Sequence, residues 1–162
     1  MGMVWIACFA DDQQVTDLLA QPDGVCDFIF ERDEVGETIN LDKQWHAVHY
    51  LLTGAAGPTD SPLSFVLGPF EELGPDNGFG PAWYIPKDAV TKFHAALALF
   101  SDDELAAKFD ATAMVRDDVY IAKTLAEEGE EGRGYVIEDI GSLRAFAAKG
   151  AEGGFSAFGM IS

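Results

Sequence analysis

Positive charge is the scarcest thing in this chain. Ten Lys and Arg stand against 28 Asp and Glu, leaving −18 at pH 7 across 162 residues. A surface of that sign repels nucleic-acid phosphates and anionic lipid headgroups, so neither is an expected partner. Cysteine is nearly absent as well. Cys8 and Cys26 both lie in apolar runs, which reads as free buried thiols in a reducing compartment and not as a disulfide framework. No apolar run approaches the ~18 residues of a membrane-spanning helix. No basic region leading into a long apolar one opens the sequence, so no signal peptide is expected. Met1-Gly2 would suit myristoylation, but Ile6 stands where that signal needs Ser or Thr. There is no Gly-x-Ser-x-Gly elbow and neither cysteine has a motif-like setting, so nucleophilic catalysis has no support. Together these absences lead us to expect an acidic, soluble cytoplasmic protein with no cofactor and no metal.

What is present is ordinary globular material: 48% apolar and 23% charged residues, in a length that suits one domain over 1–162 and buries roughly two-thirds of the unfolded chain's surface. The acids are unevenly spread. Residues 1–40 hold nine acids and one base, Arg32, and residues 101–140 hold twelve against four, whereas 41–100 hold six against three. Acidic regions therefore flank a nearly neutral centre. Such a distribution serves solvation first, and attraction of a basic partner second.

Along the chain, the apolar run 3–10 predicts a strand buried on both faces. Asp11 or Asp12 caps a helix carrying Val15, Leu18 and Leu19, which Pro22-Asp23-Gly24 ends. Residues 25–31 fit a strand or a helix equally, and 32–40 read as a polar loop. A helix over 42–53 closes on Gly54, and a strand is expected over 63–67. Gly- and Pro-rich chain then leads to a short strand over 83–85. Pro86 opens a helix reaching Phe100, with Val90, Phe93, His94 and Leu97 on its apolar side. Ser101 to Glu104 form a capping box for a short helix to Phe109. Further helices are predicted over 116–128 and 140–149, with the acidic, glycine-bearing 127–134 as a solvated loop between them. The run 155–161 supplies a last strand. Strands at both ends and in the middle, separated by unequal helical stretches, favour an α+β domain with a small mixed or antiparallel sheet packed against several helices.

The helix over 42–53 carries the most legible pattern. Leu41, Trp45, Val48 and Leu52 share its buried face, and Asp42, His46, His49 and Thr53 form a polar strip beside it. An Asp orienting one His next to another suits general-base chemistry, or part of a metal site. Two histidines three apart without a third ligand do not specify zinc, however. A packed His49 hydrogen-bonded to backbone is the stronger reading, and the same applies to His94. Gly74 to Pro81 resembles a phosphate loop only in composition. A strand follows it, so no helix N-terminus presents amides to an anion. It reads as a shaped turn, and Trp83 and Tyr84 after it could line a cleft, although aromatics in a short strand more often pack in the core.

The run from Leu41 to Gly54 (LDKQWHAVHYLLTG) resembles the signature of the YfbM-like proteins, a bacterial family of unknown function. The opening Met1-Gly2-Met3, the segment Gly78 to Ala82 before an aromatic, and Ser101 to Leu105 followed by Phe109-Asp110 agree in order and spacing. The resemblance implies an α+β domain without an established activity. It also leads one to expect Arg before Tyr84, where this sequence has Trp83, and it carries over no role for Asp42, His46 or His49.

Two functional readings follow. The first is a small interaction domain that binds a basic protein partner, in the manner of toxin-neutralising immunity proteins. The second is a small-molecule or hydrolytic site between the 42–53 helix and the 74–84 loop, using Asp42, His46, His49 and Tyr84. The lack of a complete catalytic set favours the first.

Overall fold

A computed structural model describes residues 2–162. Strand β1 (Trp5–Ala10) leads into helix α1 (Asp12–Ala20), a 3-10 turn at Pro22–Gly24 and helix α2 (Val25–Glu34). Asp11 caps α1 through a complete capping box with Gln14. The undecided stretch at 25–31 is thus helical, its Val25 and Ile29 buried four residues apart. The region expected as loop holds the end of α2 and then strand β2 (Thr38–Asn40).

A 3-10 turn at Asp42–Gln44 precedes helix α3 (Trp45–Thr53), and Gly54 ends it in a left-handed conformation at φ 74°. The strand expected over 63–67 is absent. These residues make turns closed by Ser64 N–H to Ser61 O and Gly68 N–H to Ser64 O, and they bury Phe65 and Val66. A short apolar run can plug a core without joining a ladder. The indole N–H of Trp5 donates to Val66 O at 2.9 Å and ties the plug to the sheet.

Strands β3 (Glu71–Leu73) and β4 (Ala82–Ile85) follow, then helices α4 (Lys87–Leu97), α5 (Asp102–Ala107), α6 (Ala111–Arg116), α7 (Ala122–Glu128) and α8 (Glu130–Gly153), and finally strand β5 (Ser156–Ile161). Ser101 caps α5 and Asp110 caps α6. The single helix expected over 116–128 is broken by a loop at 117–121. The acidic 127–134 segment is not a loop but the junction and first turns of the 24-residue α8. Its glycines explain the misreading. Gly129 turns the chain at φ 59°, and a Cβ on Gly132 would stand 2.8 Å from Leu125 O, so glycine lets α8 start hard against α7.

The sheet is antiparallel throughout, in the order β2-β1-β5-β4-β3. The C-terminal strand is therefore its centre. Alternation divides the side chains between two cores. Ile6, Cys8, Ala10, Phe158 and Met160 face α1 and α2. Trp5, Ala7, Ile85, Ala157 and Ile161 face the layer built by α3 to α8. This is the expected α+β architecture, as a three-layer stack. No helix among the described residues is long and apolar enough to cross a membrane.

Candidate functional site

Helix α3 carries His46, His49 and Thr53 of the predicted strip along its buried side, and Asp42 lies outside the helix. Trp45, Val48 and Leu52 are in the core. The strip does not act as one unit, because both histidine rings are turned to backbone groups and Asp42, among the described residues, reaches neither. The ring of His46 accepts the Tyr120 N–H on Nδ1 at 2.9 Å, which leaves the proton on Nε2 to be donated to Ala56 O at 2.7 Å. His49 is fully buried, and its Nε2 contacts Gly57 O at 2.8 Å. A carbonyl only accepts, so that nitrogen carries the proton and the buried Nδ1 is left without a partner. Burial pushes the His49 pKa down, and the neighbouring His46 adds to this against the opposing Gly57 hydrogen bond. Thr53 donates back to His49 O at 2.8 Å.

Asp42 lies in the 3-10 turn with φ 45° and is exposed, its N–H given to Asn40 Oδ1 at 2.7 Å. Among the described residues it hydrogen-bonds neither histidine. Tyr84 is farther removed still: it packs on the α1–α2 face of the sheet, its ring 5.6 Å from that of Phe158. The sheet itself separates it from α3. Trp83, which stands where the resemblance leads one to expect Arg, packs on the α3 side against the larger core. The glycine loop is a shaped turn, in which Gly78 and Gly80 N–H groups both donate to Asp76 Oδ1. Nothing in these positions assembles a catalytic set. Among the described residues, no three His, Cys, Asp or Glu side chains converge as a metal would require. Burial pushes the Cys8 thiol up to about 12, which makes it a packing residue. His94 is half-buried on α4, in a shallow groove beside Arg144.

His46 of the strip and Trp45 of the buried stripe do come together, with residues that the sequence did not single out. Met3, Trp45, His46, Val115, Val119, Tyr120 and Ile121 line a cleft of about 500 Å³, with Asp118 and Lys123 at its rim. The His46 ring lies parallel to the Trp45 indole, with centroids 4.9 Å apart and 9° between planes. Tyr120 lies 6.0 Å from the same indole at 27°. The wall formed by 117–121 is strained. Asp118 and Ile121 sit at φ 57° and 56°, a region that costs a non-glycine residue roughly 1–2 kcal/mol and that a β-branched side chain rarely enters.

The surroundings hold that wall at every step. Asp117 accepts Tyr50 Oη at 2.6 Å and two Arg116 nitrogens at 2.8 and 2.9 Å. These contacts, the arginine's first, hold the Asp117 carboxyl down to about 2. Val119 N–H returns to Met114 O at 2.9 Å, and Tyr120 Oη accepts the Met3 N–H at 3.1 Å. A helix reading of 116–128 hid this loop. The signal against it was the β-branched and aromatic run Val119-Tyr120-Ile121 directly after two aspartates.

One further group stands apart in α8. Asp139 has one carboxyl oxygen buried without a hydrogen-bond partner. Desolvation, with the nearby charges of Glu138 and Asp42, raises its pKa to about 7.

The model of the family described as "Domain of unknown function (DUF1877)" matches residues 1–157. Among solved structures, the fold matches the crystal structure of YfbM from Escherichia coli, a protein of unknown function. The TM-score is 0.74, with 22% identity over 99% of both chains. At that identity the likeness shows the fold alone. No curated protein matches the chain.

Proposed function

We propose, for a chain that belongs to the DUF1877 family of YfbM-like domains, that it is an interaction domain whose α1–α2 layer docks a basic protein partner. One observation carries this reading. The nine acids between Asp11 and Glu37 are all exposed, and six of them lie on α1 and α2. The only base among them, Arg32, is held by Glu37 at 2.7 Å and lies over the Phe28 ring. The same layer exposes Leu19, Phe30 and Val35. A surface kept acidic for solubility alone gains nothing from these apolar side chains, whereas an interface needs them beside its charges.

Asp27, Glu31 and Glu34 recur on one side of α2 at helical spacing, so a single set of substitutions removes the centre of the field. Captured from host lysate at low salt, the wild type is expected to retain a basic protein stoichiometrically and to release it at high salt. The variant Asp27→Asn/Glu31→Gln/Glu34→Gln should retain about tenfold less, since each neutralised contact contributes up to ~1 kcal/mol. Absence of a basic partner at low ionic strength, or equal capture by the variant, refutes the proposal. The hydrolytic alternative draws no comparable support, because His46 and His49 are turned to backbone carbonyls.

A further inference from the structure

The cleft over His46 calls for a separate explanation, because it lies on the α3–α8 side of the sheet and away from the acidic α1–α2 layer. We infer that it is a binding site for a small, flat aromatic cation. Three observations lead there, and none of them depends on the partner-docking reading.

The first is the lining. A volume of about 500 Å³ lies within the range of small-molecule sites. Its wall combines the rings of Trp45, His46 and Tyr120 with the apolar side chains of Met3, Val115 and Ile121. The near-parallel Trp45 and His46 planes, 9° apart, make a layered aromatic surface onto which another flat ring can stack. Ring faces of this kind favour a positive charge.

The second is what His46 is unable to do. Both ring nitrogens are committed to backbone partners, Tyr120 N–H and Ala56 O. The imidazole can therefore neither take a proton from a ligand nor ligate a metal without breaking the fold around it. It offers a ligand its face alone, which suits stacking.

The third concerns the wall and its charge. Strained non-glycine residues persist where the surroundings over-determine them, and ligand clamps are one such place. Asp118 and Ile121, both left-handed, bracket the two residues that line the cleft from above α7. Asp118 is exposed at the rim and makes no ion pair among the described residues. Among the described residues Lys123 is the one Lys or Arg in the lining, an exposed side chain on the first turn of α7, and the Lys43 side chain comes close to Tyr120 Oη beside it. The rim itself is therefore not acidic, and it is the net −18 of the molecule that sets the sign of the potential toward cations.

The test is a titration of the full chain with N-methylquinolinium, followed by methyl and amide NMR. Naphthalene-1-sulfonate serves as a flat anion of similar shape. Saturable binding of the quinolinium is expected at millimolar or lower concentration, with shifts centred on Val115, Tyr120 and Ile121, and the sulfonate should bind at least ~10-fold more weakly. Asp118→Asn keeps the left-handed preference and removes the charge, and should weaken the quinolinium about threefold to fivefold. Asp118→Gly should weaken it as well while raising Tm, because glycine relieves the strain. A loop serving structure alone would give the higher Tm with unchanged affinity. That result overturns the inference, as do sulfonate binding equal to the quinolinium's, shifts centred elsewhere, or no saturation in the millimolar range.

Discussion

His46→Ala is expected to cost about 3 kcal/mol of folding stability, read as a shift of the urea midpoint with an unchanged slope. The estimate follows from what the imidazole holds. Truncation leaves the Tyr120 N–H without its acceptor and the Ala56 carbonyl without its donor, and orphaning such half-buried groups costs about 1–3 kcal/mol each before any relaxation. It also removes a ring stacked on Trp45. His46→Gln is the informative companion: its amide oxygen can accept while its nitrogen donates, so roughly half of the loss should return. A histidine kept for proton transfer would behave in the opposite way. Its alanine variant would keep its midpoint and lose only a ligand or an activity. A midpoint unchanged within ~0.5 kcal/mol would therefore return His46 to the list of chemical residues.

The helix carrying that residue was the most readable part of the sequence. Its buried stripe and its Gly54 terminus follow from spacing and turn chemistry, and the structure has them where spacing puts them. Asp42 leaves the polar strip because the chain turns at φ 45° before α3 begins. What spacing could not reveal is that the 55–57 loop returns over the strip and takes up both Nε2 protons with its carbonyls. A helical wheel shows which side chains are neighbours on one element, and nothing of the backbone that folds against them. The same gap explains Tyr84. Sequence proximity to the glycine loop suggested a shared cleft, but two-residue alternation along β4 sends Tyr84 to one face and Trp83 to the other. The α7–α8 region failed for a different reason. Acids and glycines at 127–134 carry the local signature of a loop, and tertiary contact overrides it: α8 is held at Arg144 by Asp102 and by the Leu97 and Phe100 carbonyls. Packing supplies what propensity lacks.

Asp139 gives a prediction of a different kind, because its sign changes what counts as the wild-type optimum. Its carboxyl moves from an ordinary 3.8 to about 7 in the fold, through burial first and then through Glu138 and Asp42. A raised folded pKa means that the native state holds the proton more tightly than the unfolded chain. The associated stability is fully present below about pH 4 and is lost as pH rises to about 7, after which the fold carries a charged, partly buried carboxylate. A shift of this size in a fully buried group would correspond to about 4 kcal/mol. Asp139 is only half-buried, and solvent screening brings the expectation to about 2 kcal/mol.

Asp139→Asn should consequently stabilise the protein by about 2 kcal/mol at pH 8, by less at pH 5.5, and by almost nothing below pH 4. The comparison must be made between variant and wild type at each pH. His49 works in the opposite window: its lowered pKa supports the fold above its ordinary 6.5 and withdraws that support as pH falls. In the wild type the two trends partly offset each other near neutrality, so a flat stability profile there would be no evidence against either. The difference curve isolates Asp139, since His49 is common to both proteins. A gap that is constant from pH 4 to 8 would show that the carboxyl finds a partner the unpaired Oδ2 lacks. A gap that closes as pH rises would mean that the ionised form is the one the fold prefers.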